Sequence, residues 1–212
     1  MTPELWMRIA IGATYLVIAV ELLFFPIPSE ASTYAVLTNG ARRDCGKRCA
    51  SMLGYAALVV VFVLPAIWAL YPHSFRPLTP FPAEPAFGRT AVAAFSIALL
   101  ALGTTIGVVA TAQLRRHRQR GQGLKRNGIF AHSRNPIVLS LHLTALGLVL
   151  ALPVLPLLAA LPVYLVHMHG RIRMEEAHLA ERFDLEFLHY SRQVRRYWGR
   201  RRAGQAGPLS KG

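Results

Sequence analysis

The sequence predicts an all-α integral membrane protein with about five transmembrane helices, including a C-terminal helical hairpin, followed by a cytosolic amphipathic helix. Three observations carry that prediction. Hydrophobic residues make up 53% of the 212, yet the formal net charge is +14. Soluble domains seldom pair those values, whereas membrane spans with basic flanks do. The apolar residues fall into runs long enough for a ~30 Å hydrocarbon core, which takes about 20 residues of helix. No stretch shows the period-two alternation of a half-buried strand. The basic residues cluster beside the apolar runs, where they suit anionic lipid headgroups rather than nucleic acid.

The elements follow in order. The first span runs from about Ile9 to Pro26. Its leading residues MTPELWMR have neither the basic start nor the cleavage site of a signal peptide, so the run reads as a retained span. The second span covers Met52 to Leu70, and the third about Ala91 to Leu114. The fourth and fifth share one run, Pro136 to His167, which contains Pro153, Pro156 and Pro162. That run is too long for one crossing and just long enough for a tight hairpin. Pro153 is the expected corner, because proline inside a helix loses a hydrogen bond. Beyond it, Arg171 to Tyr197 is amphipathic, with Leu179, Phe183, Phe187 and Tyr190 at offsets of four, four and three on one face. Residues 199–212 are basic with Gly and Ser, and read as a disordered tail.

Orientation follows from basic residues near the spans. Arg115 to Arg134 contains seven Arg and Lys and no acid, and the tail is also Arg-rich, which puts both in the cytoplasm. The first loop, with Arg42, Arg43, Lys47 and Arg48, joins them. The proline-rich second loop, Pro72 to Pro85, has only Arg76 against Glu84 and reads as outside. With five spans the N-terminus is then outside, in an inner or plasma membrane. Cys45 and Cys49 read as reduced thiols in a cytoplasmic loop.

Two polar stretches flank the hairpin. In Asn127 to Ser140, Gly128 permits a left-handed turn, and Pro136 suits the first turn of the fourth span. Asn135 then stands at the helix cap and Arg134 at the membrane edge. Taken alone, this reads as a capped helix start with an interfacial arginine. The second stretch brings Glu175 and Glu176, adjacent residues of which at most one can face a given pocket, together with Arg171 and Arg173. Such a set serves either an amine-bearing ligand or a salt-bridge network. Glu21 is a carboxylate inside the first span and hence a functional candidate. His142 and Thr144 read as packing residues of the fourth span. A shared di-iron centre does not fit: Glu175-x-x-His178 and Glu186-x-x-His189 lie 11 residues apart on one helix, about 16 Å along it. No metal is expected.

On these residues the C-terminal half resembles the isoprenylcysteine carboxyl methyltransferase and phospholipid methyltransferase superfamily of integral membrane enzymes. One family segment has the form G-[PV]-Y-x-x-x-R-[HN]-P-x-Y-x-[GS]. It is matched by Gly128-Ile129-Phe130, Arg134-Asn135-Pro136 and Ser140. After a hairpin of the family's length comes a helix of the form E-E-x-x-L-x-x-x-F-G-x-x-[YF]-x-x-Y-x-x-x-V-x-[RK]. It is matched by Glu175-Glu176, Leu179, Phe183, Phe187, Tyr190, Val194 and Arg196. The likeness spans about Leu124 to Trp198. Phe130 and Val138 stand where the family has tyrosines, and Asp184 stands where it has glycine after Phe183.

The resemblance implies a membrane methyltransferase domain over residues 1–198. Three N-terminal spans occupy 1–114, and a core at 115–198, with its hairpin at 136–167, binds S-adenosyl-L-methionine on the cytoplasmic side. It implies cofactor contacts from Gly128, Phe130, His132, Arg134, Asn135, Pro136, Leu139, Glu175 and Glu176. It assigns catalytic roles to Arg134, Glu176 and Arg196, and acceptor contacts to Tyr190, Arg196 and Glu21. The expected acceptor is lipid-like, a prenylcysteine-type carboxylate or an amino-lipid, entering from the bilayer. The alternatives are a sterol-reductase-type enzyme using NADPH, with Arg115 to Arg126 toward its 2′-phosphate, and a membrane protein without activity.

Overall fold

The structure, a computed structural model, describes residues 2–24, 45–71, 86–120 and 123–200, except the side chains of 21–24, 45–48 and 86–89. Expectations for the first loop, Cys45, the loop Pro72 to Pro85, the Glu21 side chain and the tail past Arg200 lie outside the described residues. Cys49 is an exposed free thiol.

Among the described residues the chain forms five α-helices: α1 (Pro3–Phe24), α2 (Cys45–Leu70), α3 (Ala86–Gln119), α4 (Pro136–Ala151) and α5 (Leu155–Gln193). A short 3-10 helix, Gly128–Ala131, precedes α4. No strand is present among the described residues, only a lone antiparallel bridge between Val194 and Arg200. Four helices, α1, α2, α3 and α5, are long and apolar enough to cross a membrane. Helix α4 is apolar but has 16 residues, about 24 Å, so it falls short of a full crossing by itself.

Local chemistry sets the helix ends. Thr2 Oγ1 accepts the Leu5 N–H at 3.4 Å, and Pro3 opens α1, where its missing N–H costs nothing. The predicted corner is present: α4 ends at Ala151, the chain turns through Leu152, Pro153 and Val154, and Pro156 lies in the first turn of α5. Helix α5 departs from expectation. The fifth span and the amphipathic segment form one helix of 39 residues, about 58 Å, ending at Gln193 rather than Tyr197. Pro162 is carried inside it. The charged second half therefore continues the membrane helix as an arm. The arm bends once, at Asp184, the one non-glycine residue with positive φ (36°) among those described.

The membrane core gathers Ile11 of α1, Val61 and Trp68 of α2, Leu100 of α3, Leu148 of α4, and Leu157 and Tyr164 of α5. Helices α3 and α4 approach most closely. A Cβ on Gly103 would lie 2.5 Å from Thr144 Oγ1 and 2.9 Å from the Ser140 carbonyl, so the backbones meet only because that position has no side chain. Gly107, one turn on, faces Ser140. Small residues four apart are how helices pack in lipid, where burial of apolar surface gives little net drive. Ser96 Oγ also donates to the Gly147 carbonyl at 2.8 Å. Thr144, read as a packing residue, is one.

A second, smaller core holds the arm to the loop before α4. Phe187, Tyr190 and Val194 are buried there with Leu124, Leu179 and Phe183. The predicted stripe of α5 thus packs on the 123–134 loop.

Candidate active site

The site is built where the loop before α4, the arm of α5 and the segment after α5 converge. Gly128 has φ of +70°, and a Cβ there would lie 2.1 Å from the Gln113 amide oxygen. That oxygen accepts the Ile129 N–H at 3.1 Å, pinning the 3-10 helix to the end of α3. Phe130 is buried, and its carbonyl accepts the Tyr190 hydroxyl at 2.7 Å; the Ser133 carbonyl accepts the same hydroxyl at 3.4 Å. Burial pushes the Tyr190 phenol up to about 12, so it stays protonated and donating.

Residues 194–200 then fold back as a strap. Arg134 N–H donates to the Arg195 carbonyl at 3.1 Å, Arg195 N–H to the Gly199 carbonyl at 2.8 Å, and Gly199 N–H to the His132 carbonyl at 2.7 Å. The His132 ring stacks on Trp198, with centroids 6.0 Å apart. Gly199 and Arg200, read as tail, thus belong to the folded unit.

At the centre sits Glu176, on the buried side of α5. Arg196 donates to it from Nε (3.1 Å to each oxygen) and from Nη2 (2.7 Å to Oε2). Arg134 Nη1 lies 3.4 Å from Oε1, and Asn135 Nδ2 donates to the same oxygen at 3.3 Å. The side chains of Arg134 and Glu176 are 9% and 11% exposed, and that of Arg196 is 32% exposed. Two cations around one carboxylate leave a net positive, largely dry cluster in which Arg196 is the more exposed cation. The carboxylate in turn holds the Arg196 guanidinium above its usual value by hydrogen bonding. Asn135 occupies the cap position of α4, yet its side chain caps nothing and reaches across to Glu176 and the Arg196 carbonyl. Its own N–H is accepted by the fully buried Ser133 Oγ at 3.2 Å.

Four predicted residues, Arg134, Asn135, Glu176 and Arg196, are therefore brought together across 40 to 60 residues of chain. Pro136 is buried at the first turn of α4 beside them. Glu175, the other carboxylate of the pair, is exposed, and desolvation holds its carboxyl above the ordinary value against the pull of Arg171 and Arg118. Phe130 and Tyr190 lie in the small core, with the Tyr190 hydroxyl committed to backbone.

Leu139 lines a separate open groove of about 540 Å³ between α4 and α5, shared with His142, Leu165, Val166, His169 and Tyr197. His169 Nδ1 is 3.0 Å from the Tyr197 hydroxyl, and His142 Nδ1 is 3.1 Å from that of Tyr164. The sequence reading passed over Gln113, Ser133, Trp198 and Tyr197. Gln113, Trp198 and Tyr197 make contacts distant in sequence, while the Ser133 hydroxyl meets Asn135 two residues on.

No curated protein and no solved structure matches the chain. Residues 90–186, from the start of α3 to just past the bend of α5, match the family model described as phospholipid methyltransferase. The stretch includes the α3–α4 contact, the loop, the hairpin and Glu176, and over it the chain is similar to that family.

Proposed function

We propose that the protein transfers a methyl group from S-adenosyl-L-methionine to the amine of a lipid headgroup, at the cytoplasmic face of an inner or plasma membrane. The observation that carries this reading is the convergence of Arg134, Asn135 and Arg196 on Glu176 at the membrane-side end of the loop. The residues fit the amino-acid end of that cofactor. A buried carboxylate suits an α-ammonium group, and two guanidiniums suit an α-carboxylate. Arg196, one-third exposed, is the arm that can leave Glu176 for a ligand without unfolding the site. His132 and Trp198 offer flat faces for a purine. When bound, the cofactor supplies an electrophilic methyl on a sulfonium. The chain's part is to hold the donor at a fixed depth and keep water out, so that positioning supplies most of the rate. Tyr190 serves that positioning from inside the core, and Glu176 is a binding rather than a proton-moving group, since its oxygens are fully engaged.

The cytoplasmic placement rests on the basic residues of α3's last turn and of the strap. It also rests on the length of α5, which carries Glu176 beyond a 30 Å core. The match to a phospholipid methyltransferase model supports an amino-lipid over a prenylcysteine carboxylate. The test is label transfer from methyl-labelled cofactor into vesicles holding phosphatidylethanolamine or a farnesylcysteine. Label in the amino-lipid is expected. Label in the farnesylcysteine alone would overturn the choice of acceptor, and label in neither would overturn the activity.

A further inference from the structure

The groove between α4 and α5 has a composition that packing does not explain. Its walls are Leu139, Leu165 and Val166, with Val166 75% exposed on the side turned away from the bundle. Into these apolar walls the chain sets two imidazoles and a phenol: His142, His169 and Tyr197. The rings form one cluster. His142 and Tyr197 centroids are 5.8 Å apart, His169 and Tyr197 6.4 Å, and His142 and Tyr164 5.6 Å. Polar rings on a lipid-facing surface are costly unless something there uses them.

The groove is tied to the Glu176 cluster by three elements at once. His169 lies seven residues before Glu176 on α5, and His142 seven residues after Asn135 on α4. Seven residues are two helical turns, about 10 Å along one face. Tyr197 directly follows Arg196 on the strap. The groove therefore lies two turns deeper than the donor cluster, on the same faces of the same helices.

We infer that this groove receives the headgroup of the acceptor, and that His142 and His169 take the proton of its ammonium. The inference rests on the methyltransferase reading above. An ammonium is not a nucleophile; it must first pass one proton to a base, leaving a neutral amine and an imidazolium. Glu176 is spoken for by three donors, and Glu175 does not line the groove. The two imidazoles are the bases that line the groove. Each is bound through Nδ1 to a tyrosine hydroxyl. With Nδ1–H donating to the phenol oxygen, Nε2 carries the open lone pair. A neutral imidazole with an open lone pair can accept that proton. Among the described residues no Lys or Arg lines the groove, so a carboxylate headgroup finds no fixed counter-charge from them, and as an acceptor it needs no base. The groove's occupant is thus an amine-headed lipid, its chain along Leu165 and Val166.

The test is binding to detergent-purified protein without cofactor. The probes are a lysophosphatidylethanolamine with a lauroyl chain and, separately, laurate. The proteins are wild type, His169→Gln, His142→Gln and Tyr197→Phe. His169 is exposed, so its variant keeps the fold even if His142→Gln does not. The amine probe should bind wild type and weaken about tenfold in His169→Gln, as loss of a hydrogen bond to a charged group predicts. S-adenosylhomocysteine should bind that variant as it binds wild type. Unchanged affinity of the amine probe in both histidine variants would overturn the proposal, as would laurate binding as tightly as the amine. Wild type that binds the amine probe but not S-adenosylhomocysteine would count against the methyltransferase reading and leave the groove assignment standing.

Discussion

The cluster around Glu176 and the groove around His142 are both polar sites in an apolar half-molecule, yet they solve opposite problems. The cluster is charged, largely dry and closed, with its carboxylate bound by two guanidiniums and an amide. The groove is uncharged in its lining, open and built from aromatic rings. The difference is one of ligand chemistry. On the proposed reading, charge at the cluster suits a zwitterion, and the rings two turns away along α4 and α5 suit a headgroup met by hydrogen bonds.

Breaking the cluster should have the largest effect. Glu176→Ala takes the shared carboxylate from Arg134 and Arg196, and removal of one partner of such a buried pair costs about 3–5 kcal/mol. Thermal unfolding in detergent should show that loss together with loss of cofactor binding. The groove variant His169→Gln should leave the unfolding temperature almost unchanged, which is the sharpest contrast between the two regions. A smaller effect is expected from Tyr190→Phe, which strips a buried donor from the Phe130 carbonyl and should cost about 1–2 kcal/mol. Because Tyr190 positions the loop from behind, cofactor affinity should fall with stability while the groove still binds its amine probe.

Asp184→Gly should act in the other direction. Asp184 holds the bend of α5 at φ of 36°, a conformation glycine adopts without penalty, so the substitution should stabilise the arm by about 1 kcal/mol. The superfamily pattern has glycine at this position, and the bend supplies the physical reason. The smallest effect belongs to Arg126→Ala. Its 3.0 Å pair with Glu186 has side chains 46% and 39% exposed, and such pairs contribute below about 0.5 kcal/mol.

How much of this was legible in the sequence divides along the same line. Apolar runs and prolines report on local chain, so the spans and the corner at Pro153 could be read directly. The motif residues Arg134, Asn135, Glu176 and Arg196 could be named because they stand in two compact segments, but their meeting on one carboxylate is a long-range contact. The choice between Glu175 and Glu176 depended on the rotation of α5, which neighbouring residues do not fix. The continuity of α5 was hidden because the apolar run ends at His167 and the charged amphipathic segment begins at Arg171, so the change of composition looked like a change of element. Gln113 was invisible for another reason. A lone glutamine at the end of a basic helix carries no signal until Gly128 is seen against it. His142 looked like packing because its partners, Tyr164 and Tyr197, lie 22 and 55 residues away.

The central claim is that Glu176 and its three donors form the seat of the methyl donor. Calorimetric titration of S-adenosylhomocysteine into detergent-purified protein tests it most directly, with wild type compared to Glu176→Gln and with NADPH as the rival ligand. Micromolar binding of S-adenosylhomocysteine to wild type, at least about tenfold weaker in Glu176→Gln, and no binding of NADPH is the predicted result. NADPH binding in place of S-adenosylhomocysteine, or equal S-adenosylhomocysteine affinity in wild type and variant, would contradict it.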